Sequence, residues 1–230
     1  MKSLSNFEDL EKLKTDSPLD DLLAGGFEKK SITQIYGPPG SGKTNISLTL
    51  AVNVARNDKK VIYMDTEGGI SIDRIKQLAG DDFEDVANNI IVFEPNNFPE
   101  QEEDLSLIES WISSNRNIDL IILDSAVALF RIEENKSKAS SLGRQLGLLA
   151  SLAKDYNLAI LVTNQIYASF DENINENSPV GGSILQYWCK TIIELKREEG
   201  SKERIALLRR HKSQVEGLAI HFKIVNGGIE

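Results

Sequence analysis

The sequence predicts an α/β fold: a mostly parallel, twisted sheet with helices on both faces and an antiparallel extension at its C-terminal end. Three observations carry that prediction. Short apolar runs alternate with helical stretches through the first two-thirds of the chain. The runs are nearly continuous in apolar residues, as strands buried on both faces of a parallel sheet are. The last third holds strand-like runs with no helix between them.

The elements follow in order. Candidate strands are Ile32–Tyr36, Lys60–Met64, Ile90–Glu94, Leu120–Asp124 and Leu158–Thr163. Candidate helices are Lys43–Asn57, Ile72–Leu78, Gln101–Asn115 and Ser137–Tyr156. Their alternation reads as successive βαβ units. Thr191–Leu195, Arg204–Leu208 and Leu218–Ile224 then read as three strands of the antiparallel extension, the first pair closed by the turn Glu198-Glu199-Gly200-Ser201. No internal repeat and no linker rich in Pro, Gly or Ser interrupts the pattern. The expectation is a short N-terminal leader over residues 1–16 and a single domain over 17–230.

Composition removes several function classes. Of 230 residues, 40% are hydrophobic and 27% charged, so wholesale disorder is excluded. The net charge of −9 is a poor match for a general polyanion binder, so any nucleic-acid contact needs a local basic patch. A single cysteine, Cys189, excludes an intramolecular disulfide and a multi-cysteine zinc site, and two histidines exclude a His-rich metal site. No apolar run approaches the ~18 residues of a membrane span, and Met1–Asp16 has no signal-peptide character. The expectation is a soluble, cytoplasmic protein with no membrane partner.

The chemistry begins after the first strand. Gly37-Pro38-Pro39-Gly40-Ser41-Gly42-Lys43-Thr44 is G-x-x-x-x-G-K-[ST], the Walker A or P-loop pattern, between a predicted strand and a predicted helix. Glycines let backbone N–H groups curl round phosphate oxygens, and the helix N-terminus adds partial positive charge. Lys43 can reach the β- and γ-phosphates of ATP, and the Thr44 hydroxyl can ligate Mg²⁺. Leu120–Asp124 is an apolar strand ending in an acid, the Walker B form, which puts Asp124 at the carboxyl edge of the sheet as a metal-side carboxylate. A strand-end Asp that caps a turn is the alternative.

With Tyr63-Met64-Asp65-Thr66-Glu67-Gly68-Gly69 and Val162-Thr163-Asn164-Gln165, these segments resemble the core of the RecA/RadA recombinase family, a RecA-like P-loop NTPase fold. The resemblance runs from about Ser17 to Ile224 and includes the entry segment Pro18–Gly26. A bare core of this length is similar to the short archaeal paralogues of the family, which are thought to assist the main recombinase.

The resemblance implies roles residue by residue. Glu67 matches the glutamate that polarises the attacking water. Gln165 matches the residue that senses the γ-phosphate and passes its state to a DNA-binding loop. Arg74 matches an arginine that stacks on adenine; a solvated helix charge is its rival reading. Arg210-His211-Lys212, followed by Gly217, resembles the basic finger of hexameric RecA-like ATPases. On that likeness Arg210 and Lys212 act in trans on a neighbour's γ-phosphate, and ATP turnover requires self-association.

The chain also departs from a working recombinase. Where the family grips single-stranded DNA, Ile166–Val180 carries Asp171, Glu172 and Glu176 and no base, which repels phosphate. Tyr167 and Phe170 read as packing residues. The loop Arg131–Lys138 is mixed in charge. The segment Lys190–Lys212 holds eight bases against four acids; it reads equally as a DNA or partner surface and as a solvated hairpin laced with ion pairs. The leader has Phe7 but lacks the aromatic-plus-alanine segment of filament formers, so a monomer or small nucleotide-dependent homo-oligomer is expected. The acidic stretch Glu94–Asp104 reads as solvated, or as a dock for a basic partner. Trp111 is expected to pack on a helical face with Leu107 and Ile108, and Cys189 to be buried rather than reactive.

The function expected is that of an ATP-binding, weakly hydrolysing accessory factor in DNA repair and homologous recombination. It would make modest, salt-sensitive contact with single-stranded DNA and partner the main recombinase. The alternatives are a regulatory ATPase switch acting through protein contacts without DNA, and a nucleotide-binding scaffold that scarcely hydrolyses ATP.

Overall fold

The structure, a computed structural model, describes residues 10–114, 117–166, 180–197 and 200–230. An entry ribbon, β1 (Lys12–Leu13) paired antiparallel with β2 (Phe27–Glu28), brackets the short helix α1 (Pro18–Leu22). Then come β3 (Ser31–Gly37), α2 (Lys43–Arg56), β4 (Lys60–Asp65), α3 (Ile72–Ala79), α4 (Phe83–Asn88) and β5 (Ile90–Phe93). They are followed by α5 (Phe98–Ser114), β6 (Ile118–Asp124), α6 (Ala128–Ile132), α7 (Lys138–Tyr156), β7 (Ala159–Gln165) and α8 (Gly182–Trp188). The chain ends in β8 (Thr191–Arg197), β9 (Glu203–Arg210), β10 (Ala219–Val225) and β11 (Gly228–Ile229).

The main sheet has nine strands in the order β11-β10-β9-β8-β3-β7-β6-β4-β5. From β8 to β5 the pairing is parallel, and β9, β10 and β11 add antiparallel. This is the predicted architecture with one correction. Thr191–Leu195, expected within the antiparallel extension, pairs parallel with β3, because α8 forms the crossover before it. The sequence reading missed α8.

Period-two alternation divides each central strand between two cores. On β6, Leu120 and Ile122 face the layer of α1 to α4, while Ile121 and Leu123 face α5, α7 and α8. Helix α5 starts three residues before the predicted Gln101, because the Asn97 side chain accepts from Glu100 N at 2.9 Å and Glu100 returns a bond from Asn96 N at 2.9 Å. Its buried stripe is Phe98, Gln101, Leu105, Ile108 and Ile112. Trp111 packs against the second core as expected, but Leu107 lies one step round the helix and is exposed. Cys189 is fully buried, and burial pushes its thiol up to about 12 against the opposing charges of Arg210 and Lys190. Tyr167, Phe170, Asp171, Glu172 and Glu176 lie outside the described residues, as do Phe7, Glu198 and Glu199. No helix among the described residues is long and apolar enough to cross a membrane.

Candidate active site

Parallel pairing of β3, β7, β6 and β4 brings the loops that follow them to one edge of the sheet, and the predicted site residues gather there. Gly37 ends β3 so close to β8 that a Cβ on it would stand 2.5 Å from Leu195 O. Gly42, at the N-cap of α2, has φ +108°, a conformation that side chains resist. Lys43, the first residue of α2, folds back over the loop, and its Nζ donates to Gly37 O at 2.9 Å and Pro38 O at 3.1 Å. Burial pushes the pKa of Lys43 down, while the nearby charges of Glu67 and Asp124 push it up.

Asp124 ends β6 and is 4% exposed. Its carboxylate accepts from Tyr63 Oη at 2.7 Å, from Thr163 Oγ1 and from the Thr44 hydroxyl. Burial raises its pKa, and those three hydrogen bonds oppose the rise. A Thr hydroxyl facing a buried carboxylate beside a phosphate loop is the donor set a Mg²⁺ ion of a nucleotide complex needs.

The loop after β4 is shaped by Asp65. Its carboxylate accepts from the backbone N–H of Glu67 and of Gly69, each at 3.1 Å, and of Ile70 at 2.9 Å. Thr66 locks the same loop to the end of β6 by exchanging bonds with Ser125, Oγ1 to O and N to Oγ1, both at 2.8 Å. So held, Glu67 is exposed at the cavity, and its Oε1 accepts from Gln165 Nε2 at 2.8 Å. Gln165 Oε1 in turn accepts from Arg131 Nη1 at 2.6 Å. Arg131 on α6, Gln165 at the end of β7 and Glu67 thus form one hydrogen-bonded row.

A cavity of about 360 Å³ collects Lys43, Thr44, Glu67, Asp124 and Gln165, with Pro39, Gly40, Gly42, Asn45, Arg204 and Ile224. Its residues fit a nucleoside polyphosphate. Ser41 Oγ and Arg204 Nε are buried with no hydrogen-bond partner among the described residues, and the helix start supplies further donors.

Beyond the phosphate loop, three predicted site residues sit outside this group. The Arg74 guanidinium is held between Asn45 Oδ1 at 2.8 Å, Gln77 Oε1 at 3.1 Å, Asn226 O at 3.0 Å and Gly228 O at 3.4 Å. It ties α3 to α2 and to the β10–β11 turn. Arg210 and Lys212 lie at the opposite end of the sheet from their own chain's phosphate loop. Arg210 Nη1 donates to Gln186 O and to Cys189 O, the latter at 3.4 Å, and Lys212 Nζ pairs with Glu28 Oε2 at 2.7 Å.

The basic segment is likewise not one surface. Arg197, Lys202 and Arg204 sit at the phosphate-loop end of the β8–β9 hairpin, while Lys190, Arg209, Arg210 and Lys212 sit at the far end. Sequence reasoning gave no role to Tyr63, Asp65 or Arg204. Asp65, at the end of a strand just before Thr-Glu-Gly-Gly, is an Asx-turn signal that could have been read. Arg204 was visible only as one of eight bases, since nothing in sequence says which end of a hairpin faces the P-loop.

A family model described as Rad51 matches residues 8–230. The chain belongs to the Rad51 family. Among its Rad51-family relatives, the "DNA repair and recombination protein RadB" of Methanobrevibacter smithii is 57% identical over the full length of both chains. The proteins of the same name from Methanosphaera stadtmanae and Methanothermobacter thermautotrophicus are each 46% identical, again over full length. A solved structure described as the RadB recombinase superposes with a TM-score of 0.82 at 37% identity, covering 94% of this chain and 98% of that one.

Proposed function

We propose that this chain is a Mg²⁺-dependent, ATP-binding and weakly ATP-hydrolysing accessory protein of DNA repair and homologous recombination. The observation that carries the reading is the convergence of Lys43, Thr44, Glu67, Asp124 and Gln165 on one cavity. The full-length likeness to proteins named for DNA repair and recombination supports the biological setting.

Backbone N–H groups of residues 40–44 and the Lys43 ammonium hold the phosphates, while Thr44 and Asp124 face the metal position. Bound Mg²⁺ supplies charge neutralisation of the phosphate oxygens. Glu67 orients the attacking water and draws its proton. Gln165 stands between that carboxylate and Arg131, so an acceptor arriving at the γ-phosphate position competes for its amide.

The test is anisotropy of labelled single-stranded DNA at two salt concentrations, with and without Mg²⁺-ATP. Salt-sensitive binding that ATP modulates is the expected result. The acid-only composition of Ile166–Val180 favours a second reading, a switch that acts through protein partners. Absence of DNA binding even at low salt would establish that reading over the first.

A further inference from the structure

Arg197 and Arg204 stand directly opposite each other on neighbouring antiparallel strands. Two like charges in that register repel, which costs the fold stability there. Neither has an ion pair among the described residues. Glu203, the adjacent acid, is taken by Lys223 at 3.0 Å. Both arginines reach over the phosphate loop. Arg197 Nη1 lies 3.5 Å from where a Cβ on Gly40 would stand, and Arg204 Cδ lies 3.5 Å from the same position on Gly42.

Arg204 is the sharper of the two. It lines the cavity beside Lys43 and Thr44. Its Nη1 donates to Lys202 O at 2.9 Å, which aims the guanidinium, yet its Nε is buried with no partner. Burial, then the charge of Arg197, pushes its pKa down. A buried, unsatisfied cationic donor is costly unless something supplies an acceptor. The carboxylates of the cavity do not: Asp124 accepts from Tyr63, Thr163 and Thr44, Glu67 accepts from Gln165, and neither is paired with Arg204.

We propose that Arg204, seconded by Arg197, is a nucleotide-binding residue that acts within its own chain, bringing the C-terminal hairpin onto the α- and β-phosphates of the bound nucleotide. The inference rests on the reading that this cavity takes a nucleotide. Placement on the α/β side follows from the contact with Gly42 at the start of α2, while Glu67 and Gln165, the residues a γ-phosphate would meet, follow β4 and β7, which lie across β3 from the hairpin. ADP and ATP therefore depend on Arg204 alike. A phosphate of DNA is the competing anion, and the experiment separates the two.

The test titrates a fluorescent ADP and a fluorescent ATP analogue, each with Mg²⁺, into the full chain and its variants. Arg204→Ala is expected to weaken both ligands by roughly tenfold or more, the scale of a lost charge-assisted contact. Arg204→Gln, which keeps much of the stem, should show the same loss, Arg204→Lys should recover part of it, and Arg197→Ala should cost less. Nucleotide-free Arg204→Ala should melt no lower than the parent, since it relieves the facing charges.

Affinities within twofold of the parent for both Arg204→Ala and Arg204→Gln would overturn the proposal. Loss for ATP with ADP untouched would overturn the α/β placement. Loss of single-stranded DNA binding with nucleotide affinity intact would assign the arginines to DNA instead. A parent chain that binds no more tightly than Lys43→Ala would sink the nucleotide reading itself, and this inference with it.

Discussion

The two ends of the β8–β9 hairpin carry the same residue types in opposite circumstances. At the far end every arginine has an acceptor within the chain: Arg209 holds Glu194, whose side chain is 3% exposed, and Arg210 holds main-chain carbonyls around α8. Beyond the strand, Lys212 holds Glu28, whose side chain is 8% exposed. At the phosphate-loop end Arg197 and Arg204 face each other, and neither has an ion pair among the described residues. Charge count alone treats these as one patch. Pairing separates them: cations committed to buried carboxylates are structural, and cations left over at a cavity are available to a ligand.

The largest effect belongs to the phosphate-loop end: Lys43→Ala should reduce ATP affinity by roughly a hundredfold or more, read by calorimetric titration. Next, Glu67→Gln should keep ATP affinity within about threefold while steady-state hydrolysis falls roughly a hundredfold. Equal turnover in the two proteins would leave the cavity as a binding scaffold.

At the far end, Lys212→Ala should cost roughly 1–2 kcal/mol in urea unfolding by stranding the buried Glu28 carboxylate. Hydrolysis per folded molecule should stay unchanged. Collapsed turnover with stability intact, dependent on protein concentration in the parent, would instead make Lys212 a cation that acts on a neighbouring subunit.

The smallest effect is a pH dependence at His211. Its Nδ1 accepts from the backbone N–H of Ser213 and Gln214, each at 3.1 Å, which needs an unprotonated nitrogen. Burial first, with Lys12 and Lys212, pushes its pKa below 6.5, against the pull of Glu28. As pH falls through that range the unfolded chain takes up the proton before the folded one, so stability declines. A melting-temperature series from pH 7.5 to 5.5 should show the fall, and His211→Asn should make it shallower.

Much of this was legible in the sequence, for physical reasons. The P-loop and β6 are local patterns: a fixed spacing of glycines, and a run of apolar residues ending in an acid. The likeness of Thr66–Gly69 and Asn164–Gln165 to the recombinase family placed Glu67 and Gln165 at the same cavity, where the structure joins them by a hydrogen bond. Long-range register was not legible. That β8 runs parallel to β3 depends on α8, a seven-residue helix entered through Gly181 and Gly182, both at positive φ. Apart from Gln77, one helical turn from Arg74, the side-chain partners of Arg74 and Lys212 are 29 and 184 residues away along the chain, and the partners of Arg210 are main-chain carbonyls, so they leave no periodic trace.

The burial of Cys189 makes the protein a ready host for site-directed thiol labelling. Its thiol is fully buried at the junction of α8 and β8, and burial raises its pKa. A maleimide dye added at pH 7 would therefore pass it by, and an exposed residue replaced by cysteine, such as Lys202→Cys at the hairpin tip, would be the sole point of attachment. A probe there would sit beside Arg204 and watch the hairpin directly, with no need to strip the native cysteine first.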